Sequence, residues 1–170
     1  TDFTQAIRID QNYAAAYINR ALAYRQTNRN DQALADFGRA LTADPNSADA
    51  YLGRANVRAA QGKLPEALAD VAEAVTRDPQ NTQGYLTRAR LRDLSNDLNS
   101  AIADYSKAFA LAPSTEALLG RATAYLRSGQ FALAAEDWAV RCNFVTVAQG
   151  LMQSFTAGQI PNDVARDLIA

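Results

Sequence analysis

Apolar positions in this chain recur three and four apart over stretches of about a dozen residues, the spacing of one face of a helix. Residues 16–24 read Ala-Tyr-Ile-Asn-Arg-Ala-Leu-Ala-Tyr, and residues 31–37 read Asp-Gln-Ala-Leu-Ala-Asp-Phe. Between such stretches stand Asn28, Gly62, Asn96 and Gly129. Asn and Gly adopt the left-handed conformation that ends a helix more readily than other residues, so each is expected to close a first helix. Asp31, Pro65 and Asn99 stand where a second helix should start, as capping and first-turn preferences favour. That second helix is expected to stop before Asp44-Pro45 and Asp78-Pro79, because the residue before a proline avoids the α region. Each unit is therefore predicted to be a helix hairpin.

The units repeat. Pro45, Pro79 and Pro113 stand 34 residues apart, and Tyr17, Tyr51 and Tyr85 keep the same step. So do Arg20, Arg54 and Arg88, each followed by an alanine. Later in each unit come Ala33, Ala67 and Ala101, then Asp36, Asp70 and Asp104, then Phe37, Val71 and Tyr105. A fourth copy arrives one residue early with Leu118, Arg121, Ala122, Ala134, Asp137 and Trp138. The alanine columns let two helix backbones approach while Tyr17, Tyr24 and Phe37 fill the space beside them. One hairpin cannot bury such a face alone, whereas stacked hairpins can.

In these residues the chain resembles the tetratricopeptide repeat family, whose 34-residue pattern sets aromatic, small and proline positions in this order. The resemblance covers about residues 14–142 and implies an all-α fold, a right-handed superhelix of antiparallel hairpins. On that frame residues 1–12 are the second helix of a preceding repeat, with Asp2, Phe3, Ala6 and Ile7 in the columns of Asp36, Phe37, Ala40 and Leu41. The chain is thus expected to begin inside a repeat whose first part is cut away. Regular repeats are expected at 13–47, 48–81, 82–114 and 115–142, and a worn capping hairpin at 143–170. In that last segment Phe144, Val147, Ala148, Leu151, Met152 and Phe155 share one helical face. Arg58 and Arg92 depart from the pattern where Tyr24 and Tyr125 follow it, which predicts a more polar seam in the second and third repeats.

Composition changes the picture mainly by exclusion. Of 170 residues 36 are Ala, which suits closely packed helices, and none is His. A chain without His lacks the usual general base and the Ser-His and Cys-His nucleophile arrangements. A lone Cys142 can form neither an internal disulfide nor a multi-Cys zinc site and is expected to fill a helix face. No phosphate loop, nucleophile elbow or metal cluster occurs, so the protein is expected not to be an enzyme and to need no cofactor or metal. With 17 basic and 18 acidic side chains no bulk positive field draws it to nucleic acid, and no apolar run is long enough for a membrane span. The missing leader says little for a chain that begins Thr-Asp-Phe, and the compartment stays between cytoplasm and periplasm.

Two sets of residues are candidates for more than packing. Arg20, Arg54, Arg88 and Arg121 on first helices, with Asp2, Asp36, Asp70, Asp104 and Asp137 on second helices, are expected to form a structural ladder of ion pairs. The spacing does not choose between pairing within a repeat and pairing with the next. The other set is implied by the resemblance, which assigns partner binding to the concave face lined by first helices. There Ile18, Leu52, Leu86 and Leu119 would form an apolar row, flanked by Asn19, Asn56, Arg90 and Thr123, with Leu22, Arg25 and Arg127 beside them. Gly53 and Gly120 would leave room for a ligand, and Asp49, Gln83, Thr87, Asp93 and Glu116 share the face.

Such a surface suits an extended or helical peptide, because Asn can hold backbone amides and Arg a carboxylate. Relatives that clamp chaperone carboxylates use Lys, Asn and Arg at five places, where this chain has Ile18, Leu22, Gly53, Gln83 and Thr87. That clamp is therefore not expected. The function read from the sequence is a protein-interaction scaffold or adaptor with an unidentified protein or peptide partner. The alternatives are an accessory domain of a larger enzyme or secretion component, and a self-association module using the chain ends.

Overall fold

The computed structural model describes residues 2–141, with side chains through Val140. The expected hairpin at 143–170, its apolar face from Phe144 to Phe155 and Cys142 lie outside the described residues. The chain divides into two compact units between Leu91 and Arg92. The first holds α1 (Asp2–Ile9), α2 (Ala14–Gln26), α3 (Asn30–Ala43), α4 (Ala48–Ala60), α5 (Leu64–Arg77) and most of α6 (Thr82–Leu94). The second holds the end of α6, then α7 (Leu98–Leu111), α8 (Thr115–Arg127) and α9 (Phe131–Arg141). Among the described residues there is no strand.

The turns inside the hairpins sit where left-handed backbone is needed. Asn28, Gly62, Asn96 and Gly129 have φ of 57°, 75°, 61° and 78°. The second helices begin one residue earlier than the capping residues suggest: Asp31, Pro65 and Asn99 are each the second helical residue, after Asn30, Leu64 and Leu98. Proline is free of cost there because its N–H would have no helical acceptor, and an acid in the first turn faces the positive end of the helix dipole. The side-chain caps lie elsewhere. Ser47, Ser114 and Asp97 accept hydrogen bonds from the amides of Ala50, Ala117 and Ser100. Between repeats, Asp10, Asp44 and Asp78 each accept the amide two residues on, which folds the chain into a tight turn.

In the first unit one apolar cluster joins Tyr17 and Ala21 of α2 to Ala33, Phe37 and Ala40 of α3 and Ala50 and Val57 of α4. A second joins Leu52 and Ala55 of α4 to Ala67, Val71 and Ala74 of α5 and Leu91 of α6. Ala21, Ala55, Ala33 and Ala67 are wholly buried, so the alanine columns are the places where helices touch. In the second unit Ala101, Ala108, Ala122 and Ala134 are buried to the same degree.

Candidate binding face and the arginine–aspartate ladder

In the hairpins α2–α3, α4–α5 and α8–α9 the first helix turns one stripe toward its own second helix, and the arginine of the column lies on that stripe. Arg20 on α2 donates Nε to Asp36 Oδ2 at 2.6 Å and Nη2 to Asp36 Oδ1 at 2.8 Å. Arg54 on α4 does the same to Asp70 of α5 at 2.9 and 2.7 Å. Arg121 on α8 forks onto Asp137 of α9. At these three arginines pairing is within the repeat. The third face of the guanidinium is used where the preceding second helix offers a hydroxyl: Arg121 Nη1 lies 3.1 Å from Ser106 Oγ, and Arg20 Nη1 lies 3.4 Å from Thr4 Oγ1.

The carboxylates are the buried partners. Asp36, Asp70, Asp104 and Asp137 are 2–5% exposed, and buried carboxylates are tolerated only when paired and hydrogen-bonded. Their hydrogen bonds hold the Arg20, Arg54 and Arg121 guanidinia above the ordinary arginine pKa, against burial, which pulls it down. Tyr17 and Tyr24 flank Arg20, its guanidinium carbon lying 5.7 and 5.9 Å from the two ring centres. Asp2 is exposed on α1, and Arg88 lies over the ring of Tyr85 at 5.3 Å.

Arg58 and Arg92 complete this arrangement. Each sits one turn along its helix from the ladder arginine and donates Nη1 at 2.7 Å, Arg58 to Asp70 and Arg92 to Asp104. Each also reaches a backbone carbonyl at 3.4 Å, Glu66 for Arg58 and Ser100 for Arg92. A second cation thus replaces the tyrosine of the first and fourth repeats and supplies the same carboxylate with another donor. From sequence these residues were visible only as departures from an aromatic column.

The opposite stripe of the first helices holds the candidate binding residues. In the first unit Asn19 and Arg90 are exposed, and Ile18, Leu22, Arg25 and Asn56 are half-buried. Leu52 and Leu86, expected in an apolar row, are instead 8% and 5% exposed. Leu52 belongs to the second core cluster, so the row offers a ligand much less than the spacing suggested. Thr87 is buried and lies near Gln83 Nε2 and Arg90 Nη2, at 3.5 and 3.4 Å.

The two glycines do not leave room for a ligand. A Cβ at Gly53 would lie 2.3 Å from the ring of Phe37, and one at Gly120 would lie 2.3 Å from the ring of Tyr105. The space opened by each glycine is filled by the aromatic residue of the preceding second helix. In the second unit Leu119 is half-buried, and Thr123 is exposed with its hydroxyl donated to the Leu119 carbonyl. Arg127 is ion-paired with Asp93 and donates Nη2 to Asn96 Oδ1 at 3.1 Å, so it braces the preceding turn.

Among the described residues no group of His, Cys, Asp or Glu is placed to hold a metal, and no helix is long and apolar enough to cross a membrane.

The comparisons agree with this architecture. The tetratricopeptide repeat family matches residues 3–82 and 86–141. A second family, 2,3-bisphosphoglycerate-independent phosphoglycerate mutase, matches residues 115–170, and over residues 115–141 it overlaps the hairpin of α8 and α9. No curated protein matches the chain. Among solved structures, YrrB, described as a TPR protein with an unusual peptide-binding site, is 25% identical at a TM-score of 0.76, over 82% of this chain and 72% of its own. The first TPR of Spaghetti (RPAP3), bound to the HSP90 peptide SRMEEVD, is 22% identical at 0.68, over 71% of this chain and 96% of its own. A tetratricopeptide repeat protein from Parabacteroides merdae is 19% identical at 0.75, over 98% of this chain and 68% of its own. With its helices paired into hairpins, its alanine columns buried between them and the family pattern matched over most of its length, the chain belongs to the tetratricopeptide repeat family.

Proposed function

We propose that the protein is a non-catalytic scaffold that holds an extended segment of a partner protein against the inward stripe of its first helices, with no cofactor or metal. Support comes from the contrast between the two stripes of the same helices. On the ladder side Asp36, Asp70 and Asp137 are buried and engaged by forked guanidinia, which ties these three carboxylates to structural ion pairs. On the inner side polar donors stay accessible.

The observation that carries the reading is Asn56, half-buried on α4 between the exposed edge and the core. A carboxamide both donates and accepts, so one side chain can hold the N–H and C=O of a passing peptide. The peptide-binding site described for YrrB and the HSP90 peptide bound to RPAP3 support a peptide as ligand, while the absent clamp residues at Ile18, Leu22, Gly53, Gln83 and Thr87 argue for a different mode from the chaperone carboxylate clamp.

The test is partner capture from a cell extract by the intact protein and by the double variant Asn56→Ala, Arg90→Glu. The variant is expected to lose capture while helicity and melting stay unchanged. Capture retained by the variant would sink the reading.

A further inference from the structure

We propose that a cavity beside Tyr17 is a second binding site, independent of the inner stripe, and that it takes the guanidinium of an arginine side chain from a partner protein. The next repeat of the same chain shows what such a space accepts. The cavity, of about 240 Å³, is lined by Gln11, Asn12, Tyr17, Arg39, Thr42 and Ala43. Thirty-four residues on, the same columns hold Pro45, Asn46, Tyr51, Glu73, Thr76 and Arg77. There the Arg77 guanidinium carbon lies 4.6 Å from the Tyr51 ring centre, while Arg77 donates Nε to the Pro45 carbonyl at 2.9 Å and pairs with Glu73. Tyr51 thus meets two cations, Arg77 and, at 5.6 Å, Arg54. Tyr17 meets Arg20 at 5.7 Å and has Ala43 in the column of Arg77.

The walls of the two sites are otherwise alike. In both repeats an aspartate accepts the amide two residues on, Asp10 from Asn12 at 2.8 Å and Asp44 from Asn46 at 3.0 Å. That shared turn sets the Gln11 carbonyl in the place of the Pro45 carbonyl. Thr42 and Thr76 both donate their hydroxyls back into their own helices, to the Gly38 and Ala72 carbonyls. At about 30 Å³ per water the cavity has room for roughly eight waters, and so for a guanidinium with its stem. A planar cation suits these walls, because it stacks on a tyrosine face while its N–H groups donate sideways to a carbonyl. The difference is Arg39 in the column of Glu73, which opposes a cation. Its side chain is 62% exposed and lies 3.4 Å from Asp36, so water and that carboxylate weaken the repulsion. Arg39 therefore lowers the affinity without changing the ligand.

NMR titration of the full chain with N-acetyl-arginine amide, N-acetyl-lysine amide and N-acetyl-citrulline amide tests this. The arginine probe is expected to bind in the millimolar range, about ten-fold tighter than the citrulline probe, which keeps the shape without the charge, and tighter than the lysine probe, which lacks the plane. Its shifts should centre on the amides of residues 11–17 and 39–43. Arg39→Glu should tighten binding about five-fold. Ala43→Arg, which supplies a guanidinium from the chain itself, should abolish it, and Arg77→Ala should add a second site with new shifts around Tyr51. Melting curves show which variants stay folded, and the comparison of the three probes on the parent chain needs none of them. Citrulline or lysine binding as tightly as arginine, shifts only at other residues, or undiminished binding by folded Ala43→Arg would overturn the proposal.

Discussion

Arg20 and Asp36 meet across the first hairpin in two parallel hydrogen bonds of 2.6 and 2.8 Å, with the carboxylate almost wholly buried and the guanidinium flanked by two tyrosine rings. The same fork recurs at Arg54 with Asp70 and at Arg121 with Asp137. The three differ in what remains when the arginine is removed.

Asp70 keeps Arg58 when Arg54 is truncated, whereas no second arginine is described on Asp137. Arg121→Ala is therefore expected to cost about 3–5 kcal/mol, the penalty for a buried charge left alone. Arg54→Ala should cost about 1–3 kcal/mol, because its carboxylate stays charge-paired. Replacing both partners at once, as Arg121→Met with Asp137→Leu, should recover most of the loss. Chemical denaturation of the variants checks the order, and equal costs for the two single alanine variants would contradict it.

The ring of Phe37 and the missing side chain of Gly53 form a second matched pair. Gly53→Ala should cost about 1–3 kcal/mol by overpacking, although alanine is the better helix former. Adding Phe37→Val should restore much of it, since the next repeat pairs Val71 with Thr87 in the same columns. Gly38 is the control. Nothing lies within 4 Å of a Cβ placed there, so Gly38→Ala should raise stability by about 0.5–1 kcal/mol. Thermal melting of the three variants reads all of this, and a stabilised Gly53→Ala would mean the ring moves freely.

A third expectation concerns two repeats that differ at one corner. In the second, Arg77 lies 4.6 Å from the ring centre of Tyr51, donates Nε to the Pro45 carbonyl at 2.9 Å and pairs with Glu73. In the first, the same columns hold Ala43 and Arg39, and beside Tyr17 lies a cavity of about 240 Å³ lined also by Gln11, Asn12 and Thr42. Grafting the corner as Ala43→Arg with Arg39→Glu should fill it and stabilise the chain by about 0.5–1 kcal/mol. Ala43→Arg alone should gain less, because Arg39 repels it. Melting curves and a structure of the graft check this.

The hairpins were legible because their signals are local: a period of 34, left-handed residues at Asn28, Gly62, Asn96 and Gly129, and helix-spaced alanines. The rows of Arg and Asp were legible too, but not their pairing, which depends on how the two helices face each other. Gly53 and Gly120 misled because a sequence shows a missing side chain and not the ring, from 16 or 15 residues earlier, that takes its space. Leu52 and Leu86 misled for a related reason. They lie where the inner stripe meets the core, and a helical period does not fix that border to within one residue.

The central claim, that a partner lies on the inward stripe of the first helices, is tested most directly by site-specific photo-crosslinking with the intact protein in extract. A photoreactive residue at position 56 on α4 is compared with one at the exposed position 72 on α5. The account expects a partner adduct from position 56 and none from position 72. Adducts from position 72 alone, or equally from both, would contradict it.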